Sequence, residues 1–212
     1  GTTAPPAGMK GSFLYYTDNA FTSDPADVDS IYMITMTPDF VTPANTVIST
    51  PVRFATAAFD EQLCTATRGR CIDQQTNTTT DLEDLAGRIT NKIVYRNFGT
   101  HQGIVCNFTV DADGAGKGGI RWMELRNTRS WSIYQEATWA PDGNERWLGS
   151  VCYDAIGNIG LVYNVSGTTA NPSIRFTARN ECDPLGTMTL PETTIIAGTA
   201  SNGSTRYGDY NV

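Results

Sequence analysis

Three similar series of strand-like segments follow one another along the chain, and this internal repeat limits the possible folds more than any other feature. Each series has three runs rich in β-branched and aromatic residues, separated by Gly, Pro, Asn and Asp. The runs lie at 13–17, 30–36 and 47–59, then at 104–110, 119–125 and 131–139, then at 161–166, 173–178 and 193–199. Repetition in residue type and in order indicates a repeat protein.

A fourth run opens the next unit with an arginine. These runs lie at 87–95, 145–153 and 205–210 and contain Arg88, Arg146 and Arg206, which are 58 and 60 residues apart. The predicted unit is therefore four antiparallel strands joined by hairpins, slightly longer than blade repeats of about 40–50 residues. Radial repetition hides the faces and edges of such sheets. We predict an all-β fold, a β-propeller with about three blades present and an incomplete ring. The alternative is a β-sandwich or barrel of hairpins, which needs no repeat.

The repeat also predicts how the chain is organised. We expect a partial blade at 11–59, a Cys-containing insertion loop at 60–86, blades at 87–140 and 145–199, and the first strand of a next blade at 205–212. Known propellers have about four to eight blades. The rest of its own propeller, or a neighbouring subunit, is therefore expected to complete the ring.

Composition narrows the partners. The net charge is −7, with 15 Lys and Arg residues and one His, so the clustered basic surface that binds nucleic acid is absent from the sequence. No apolar stretch is long enough to cross a bilayer, which predicts no membrane insertion. An acidic, Thr- and Asn-rich surface suits a protein outside the cell, where a glycan or another extracellular protein would be the partner.

Five cysteines point to an oxidising compartment, and hence to a secreted or cell-surface protein. Cys64 and Cys71 bracket a short polar loop that a disulfide can close, whereas a zinc site would need further ligands nearby. Four Asn-x-Ser/Thr sequons occur. Asn77 and Asn202 lie in predicted loops and are glycosylation candidates, while the other two lie inside predicted strands.

The repeated arginines are the first candidate ligand site. If Arg88, Arg146 and Arg206 each start an innermost strand, they lie near one mouth of the central channel, where guanidinium forks can bind a carboxylate. The alternative is structural: a residue repeated in every blade can pair with neighbouring acids and tie adjacent blades together.

Further candidates are more ordinary residue types. Trp139 and Trp147 flank the turn at 141–144 and are expected to reach a surface where they could stack on sugar rings. Asp111 and Asp113 open a calcium-type loop, but no downstream Glu completes it, so no cofactor is expected and calcium stays an alternative.

The second half resembles a family of secreted bacterial proteins of sialidase-like (BNR-type) β-propeller type, which are largely uncharacterised. The resemblance rests on the stretches 119–126, 140–150, 172–176, 183–188 and 206–210. It implies export and a propeller, without implying an activity. Sialidases grip the sugar carboxylate with three arginines and also need a nucleophilic Tyr and an acid/base Asp, for which Tyr207, Asp209 and Asp142 are the candidates. The Ser-x-Asp-x-Gly-x-Thr-Trp box of many sialidase blades is absent from the sequence.

Three functions follow from these observations. The first is a non-catalytic extracellular propeller module that binds a glycan or protein, or serves as a scaffold. The second is a sialidase-type glycoside hydrolase that uses the arginine cluster. The third is a structural subunit of a surface filament or appendage, in which neighbouring subunits complete the free sheet edges.

Overall fold

The computed structural model describes residues 3–21, 27–64, 69–76 and 79–209. Nearly all regular structure in these ranges is β-strand. Two 3₁₀ turns, η1 (Asn19–Phe21) and η2 (Pro43–Asn45), are the helical elements found there. None of the described residues form a helix of the length and apolarity that crossing a bilayer requires.

Fourteen strands are present in the described residues. Their bounds are β1 (Gly11–Thr17), β2 (Ser30–Thr37), β3 (Val47–Ile48), β4 (Val52–Ala55), β5 (Arg70–Ile72), β6 (Leu82–Glu83), β7 (Val94–Asn97), β8 (Gln102–Asp111), β9 (Gly118–Asn127), β10 (Trp131–Trp139), β11 (Glu145–Tyr153), β12 (Ile159–Gly167), β13 (Ala170–Arg179) and β14 (Leu190–Ile196). The long strands coincide with the repeated apolar runs of the sequence.

These strands form three four-stranded antiparallel sheets and one small hairpin. In the first sheet β1 pairs with β2, and β3 and β4 pair with successive parts of the other edge of β2. The second sheet runs β7-β8-β9-β10 and the third β11-β12-β13-β14, each as a meander of neighbouring strands. β5 and β6 form the hairpin. The prediction of an all-β fold built from four-stranded antiparallel sheets is confirmed.

The three sheets stack face to face in chain order. The first interface, between the first and second sheets, buries Ile31 and Met33 against Phe108 and Met123. The second interface, between the second and third sheets, contains ten buried residues: Val105, Ile120, Trp122, Val151, Tyr153, Ile159, Leu161, Tyr163, Val165 and Met188. The second sheet therefore has apolar side chains on both faces, as its nearly continuous apolar sequence predicts.

The segment at 60–86, expected to be an insertion loop, contains the β5–β6 hairpin and its own apolar core. Leu63, Ile72, Leu82 and Leu85 pack with Leu148 and with Trp147, which is 0% exposed. This packing corrects the expectation that Trp147 reaches a surface. The segment covers β11, and the indole lies beneath it.

Two of the three expected arginine-bearing strands are shorter or absent. β7 begins only at Val94, because Gly87 and Asn91 adopt left-handed backbone conformations, with φ of 80° and 61°, that interrupt an extended chain. Described residues 205–209 form no strand either, and Gly208 has a φ of 66°. Arg88 and Arg206 therefore lie in irregular segments, whereas Arg146 is in β11 as expected.

The predicted disulfide between Cys64 and Cys71 is present, with a Cα–Cα distance of 5.9 Å. Replacing both cysteines by serine is expected to lower the free energy of unfolding by about 2–3 kcal/mol, because the unfolded chain regains the freedom of the closed loop. Urea unfolding followed by circular dichroism measures this change. The matched control is Cys152→Ser, since Cys152 is an exposed free cysteine. Equal stability of the double variant and the control would contradict the prediction.

Candidate functional site

Two of the repeated arginines, Arg88 and Arg206, line one cavity. This arginine cavity has a volume of about 210 Å³ and lies beside β11. Its other lining residues are Leu85, Ile89, Thr90, Asn91, Leu148 and Asp209. The left-handed turn at Asn91 returns the chain towards β11, where the Asn91 side-chain amide donates a 2.8 Å hydrogen bond to the Ser150 hydroxyl.

The two arginines of the cavity differ in how they are held. Arg206 donates to the carboxylate of Asp209, with Nε 2.9 Å from Oδ2, and its Nη1 lies 3.5 Å from Glu83 Oε2. Arg88 is exposed and has neither a hydrogen bond nor an ion pair with the residues that the structure describes. The cavity lining thus combines two cations, one carboxylate and an amide, and the second carboxylate, Glu83, lies beside Arg206, so the exposed guanidinium of Arg88 is the cation left for a ligand. A small anion is the ligand that such an arrangement suits.

Arg146, the middle arginine of the repeat, lies in a different environment. It is 0% exposed and forms a fork with the Glu192 carboxylate, with Nε–Oε1 at 2.9 Å and Nη2–Oε2 at 3.0 Å. Its Nη1 donates to Asp142 at 2.7 Å and to the carbonyl of Asn144 at 2.8 Å. All three nitrogens of its guanidinium donate to these partners. Arg146 thus pairs with acids, as in the structural alternative for the repeated arginines, but its fork joins two strands of one sheet and does not tie two sheets together.

An arginine–glutamate pair recurs in the second and third sheets. Arg121 of β9 lies 2.6 Å from Glu136 of β10, and Arg175 of β13 lies 2.6 Å from Glu192 of β14. The first pair also contacts the segment that follows β4 of the first sheet. Arg121 donates to the Ala57 carbonyl at 3.2 Å, and Glu136 accepts from the Ala57 amide at 2.8 Å. Sequence reasoning missed both glutamates. Each follows its arginine by 15 or 17 residues, and this spacing is the signal that could have identified them.

The candidate catalytic residues Asp142, Tyr207 and Asp209 have different hydrogen-bond partners in different parts of the structure. The hydrogen bond from Arg146 lowers the pKa of Asp142 to about 2, so this carboxyl is ionised and suits the role of salt-bridge partner better than that of general acid. Burial raises the pKa of Tyr207, whose hydroxyl donates to the Pro172 carbonyl at 3.2 Å. Asp209 accepts from Arg206 within the arginine cavity.

The remaining candidates have local structural roles. The indole N–H of Trp139 donates to the Tyr163 hydroxyl at 2.7 Å, which anchors it at the second interface. The carboxylates of Asp111 and Asp113 accept backbone N–H groups of their own loop, and Asp113 also faces Lys117 at 3.5 Å. Within the described ranges, no group of three or more His, Cys, Asp or Glu is arranged to hold a metal ion.

The two glycosylation candidates stay predictions. Asn77 lies outside the described residues. Asn202 is partly buried, and its side-chain amide donates to the Arg206 carbonyl at 2.7 Å, while its backbone N–H donates to Gln74 at 2.6 Å.

Comparison of the chain with protein-family models, with curated proteins and with solved structures gives no match. The function therefore has to be argued from the geometry of the arginine cavity and from the stacked sheets.

Proposed function

We propose that the chain is a non-catalytic extracellular β-propeller module that binds a carboxylate-bearing glycan. The observation that carries this proposal is the arginine cavity, in which an exposed Arg88 faces the same space as Arg206. A guanidinium offers two parallel N–H donors to a carboxylate, and such charge-assisted pairs are stronger than neutral hydrogen bonds.

The stacked sheets support the propeller. Three antiparallel sheets, the second and third of them four-stranded meanders, pack face to face in chain order, as consecutive blades do. The disulfide supports a place outside the cell, because such bonds persist in oxidising compartments. The low pKa of Asp142 and the engaged hydroxyl of Tyr207 favour binding over hydrolysis.

Substitution of Arg88 tests the proposal. We expect Arg88→Ala to weaken the binding of 3′-sialyllactose at least about tenfold, since removing a charge-assisted hydrogen bond costs about 1.5–3 kcal/mol. Isothermal titration calorimetry with 3′-sialyllactose, and with lactose as the neutral sugar, measures the effect. Arg129→Ala is the matched control, because Arg129 is an exposed arginine in the turn between β9 and β10.

Two results would overturn the proposal. One is equal binding of the acidic and the neutral sugar by the unsubstituted protein. The other is hydrolysis of a fluorogenic sialoside that disappears in Asp142→Ala, which would identify the chain as a glycoside hydrolase instead.

A further inference from the structure

The stack of three sheets ends in two apolar faces that the described residues leave largely uncovered. The leading face belongs to the first sheet: Tyr15 and Tyr32 stack there with ring centroids 4.9 Å apart, beside Phe13, which is 53% exposed. The trailing face belongs to the third sheet and presents Val162, Ile174, Phe176 and Ile196, the last 55% exposed. Exposed apolar side chains that lie together on one face mark an interaction site.

The interior of the stack indicates what each face is built to contact. Phe108 of β8 points back to the first sheet and Tyr163 of β12 points back to the second, and both are 0% exposed. Each lies directly opposite an arginine of the neighbouring strand: Phe108 opposite Arg121, and Tyr163 opposite Arg175. Tyr15 pairs with Tyr32 on the matching side of the first sheet, yet it is 40% exposed. The leading face of the first sheet thus carries aromatic side chains on the side that is covered in the second and third sheets.

In both internal interfaces, the trailing face of one sheet packs against the leading face of the next sheet in chain order. In the second interface, Val105 and Trp122 on the trailing side of the second sheet pack against the leading side of the third sheet around Leu161. One uncovered face of the chain is a leading face and the other is a trailing face, the two kinds that pack together inside it. A second copy can therefore cover the leading face with its trailing face and the trailing face with its leading face.

The strand edges support the same pairing. In the second and third sheets, β7 and β11 pair with one edge of β8 and β12, whereas no described strand pairs with the corresponding edge of β1. Residues 205–209 lie against β12 and β13: Asn164 of β12 donates to the Gly208 carbonyl at 3.2 Å, and Tyr207 donates to the carbonyl of Pro172 in β13. A first sheet docked on the trailing face would bring its open β1 edge next to these residues.

We propose that two copies of this chain associate head to tail, the leading face of each covering the trailing face of the other, in a closed ring of six sheets. This inference rests on the proposed propeller, for which six blades lie within the known range of about four to eight. The contacts are heterologous, and the ring closes after two copies, so no face remains uncovered.

Sedimentation equilibrium of the purified chain tests the association. The expected result is a particle of twice the chain mass at micromolar concentration. A monomer throughout this range would overturn the proposal, and so would open polymers that lengthen with concentration. Glycan binding is measured separately on the same samples, so that a failure of the ring and a failure of the proposed binding function are distinguishable.

Two single-face variants identify the mode of contact. Phe13→Asp places a charge on the leading face and Phe176→Asp on the trailing face, and each variant alone is expected to be monomeric, because every head-to-tail contact then contains one altered face. An equimolar mixture is expected to recover a dimer, because one of its two contacts joins two unaltered faces. Phe40→Asp is the control, since Phe40 is 90% exposed in the turn after β2 and should leave the dimer intact.

Circular dichroism of each variant establishes that it is folded before its mass is interpreted. A folded Phe13→Asp variant that stays dimeric would show that trailing faces pair with each other, and would overturn the head-to-tail arrangement. A mixture that stays monomeric would overturn it as well.

Discussion

Replacing Arg146 with alanine is expected to lower the free energy of unfolding by about 3–5 kcal/mol, the range found when one member of a buried ion pair is removed. Arg146 is 0% exposed, and the Glu192 carboxylate that receives its fork is largely buried. After the substitution Glu192 would keep Arg175 and the Tyr163 hydroxyl, but it would lose both bonds from Arg146. Urea unfolding followed by intrinsic fluorescence measures the change.

Arg206→Ala is the matched control, because Arg206 is the corresponding arginine of the next unit and its side chain is 48% exposed. Surface ion pairs contribute about 0–1 kcal/mol, so the control should remain close to the unsubstituted protein. If Arg146→Ala were as stable as the control but failed to bind the acidic glycan, Arg146 would be a ligand-binding residue, and its structural role would be refuted.

Trp147→Ala is expected to have an effect of similar size, about 3–5 kcal/mol, because a fully buried indole is replaced by a methyl group. The indole projects from β11 and packs against apolar residues of the 60–86 segment, Ile72 and Leu82 among them. The loss of stability should therefore appear first in that segment. The substitution is expected to increase amide hydrogen exchange more in β5 and β6 than in β12. Exchange measured by mass spectrometry, together with urea unfolding, follows both effects.

Phe40→Ala is the control for this prediction, since Phe40 is 90% exposed and its removal should change stability by less than about 0.5 kcal/mol. Uniform acceleration of exchange over the whole chain would contradict the packing of Trp147 against the 60–86 segment. Unchanged stability of Trp147→Ala would contradict its burial.

The strands in the middle of each sheet are predictable from the sequence because their signal is local. The runs at 104–110 and 119–125 fall within β8 and β9, the two middle strands of the second sheet, where nearly continuous apolar residues meet sheets on both sides. The arginine-bearing runs at 87–95 and 205–210 also contain apolar residues, but Gly87, Asn91 and Gly208 break the extended backbone there. Gly and Asn can adopt a positive φ, but packing decides whether they do. The interruption of these strands therefore could not be predicted from the local sequence.

The site was predicted in part for a related reason. The repeated arginines direct attention to the correct segments, and the structure brings Arg88 and Arg206 to one cavity while it buries Arg146. What separates them is the partner: Glu192 lies 46 residues beyond Arg146 and reaches it across the face of the third sheet. Pairing at such a distance depends on the strand order of the sheet, which the spacing of arginines alone does not contain.

The burial of two asparagines has a consequence for producing the protein in eukaryotic cells. Asn107 and Asn164 belong to Asn-x-Thr and Asn-x-Ser sequences and are both 0% exposed. Asn107 Nδ2, the atom that would carry the sugar, is buried, and a side-chain carbon added at Gly149 would collide with Asn107 Oδ1, so the site leaves no space for a sugar. Oligosaccharide transferred to either asparagine during translocation would hold the nascent chain outside its native packing. Secretion through the endoplasmic reticulum would therefore require both sequons to be removed, whereas a bacterial host would impose no such barrier.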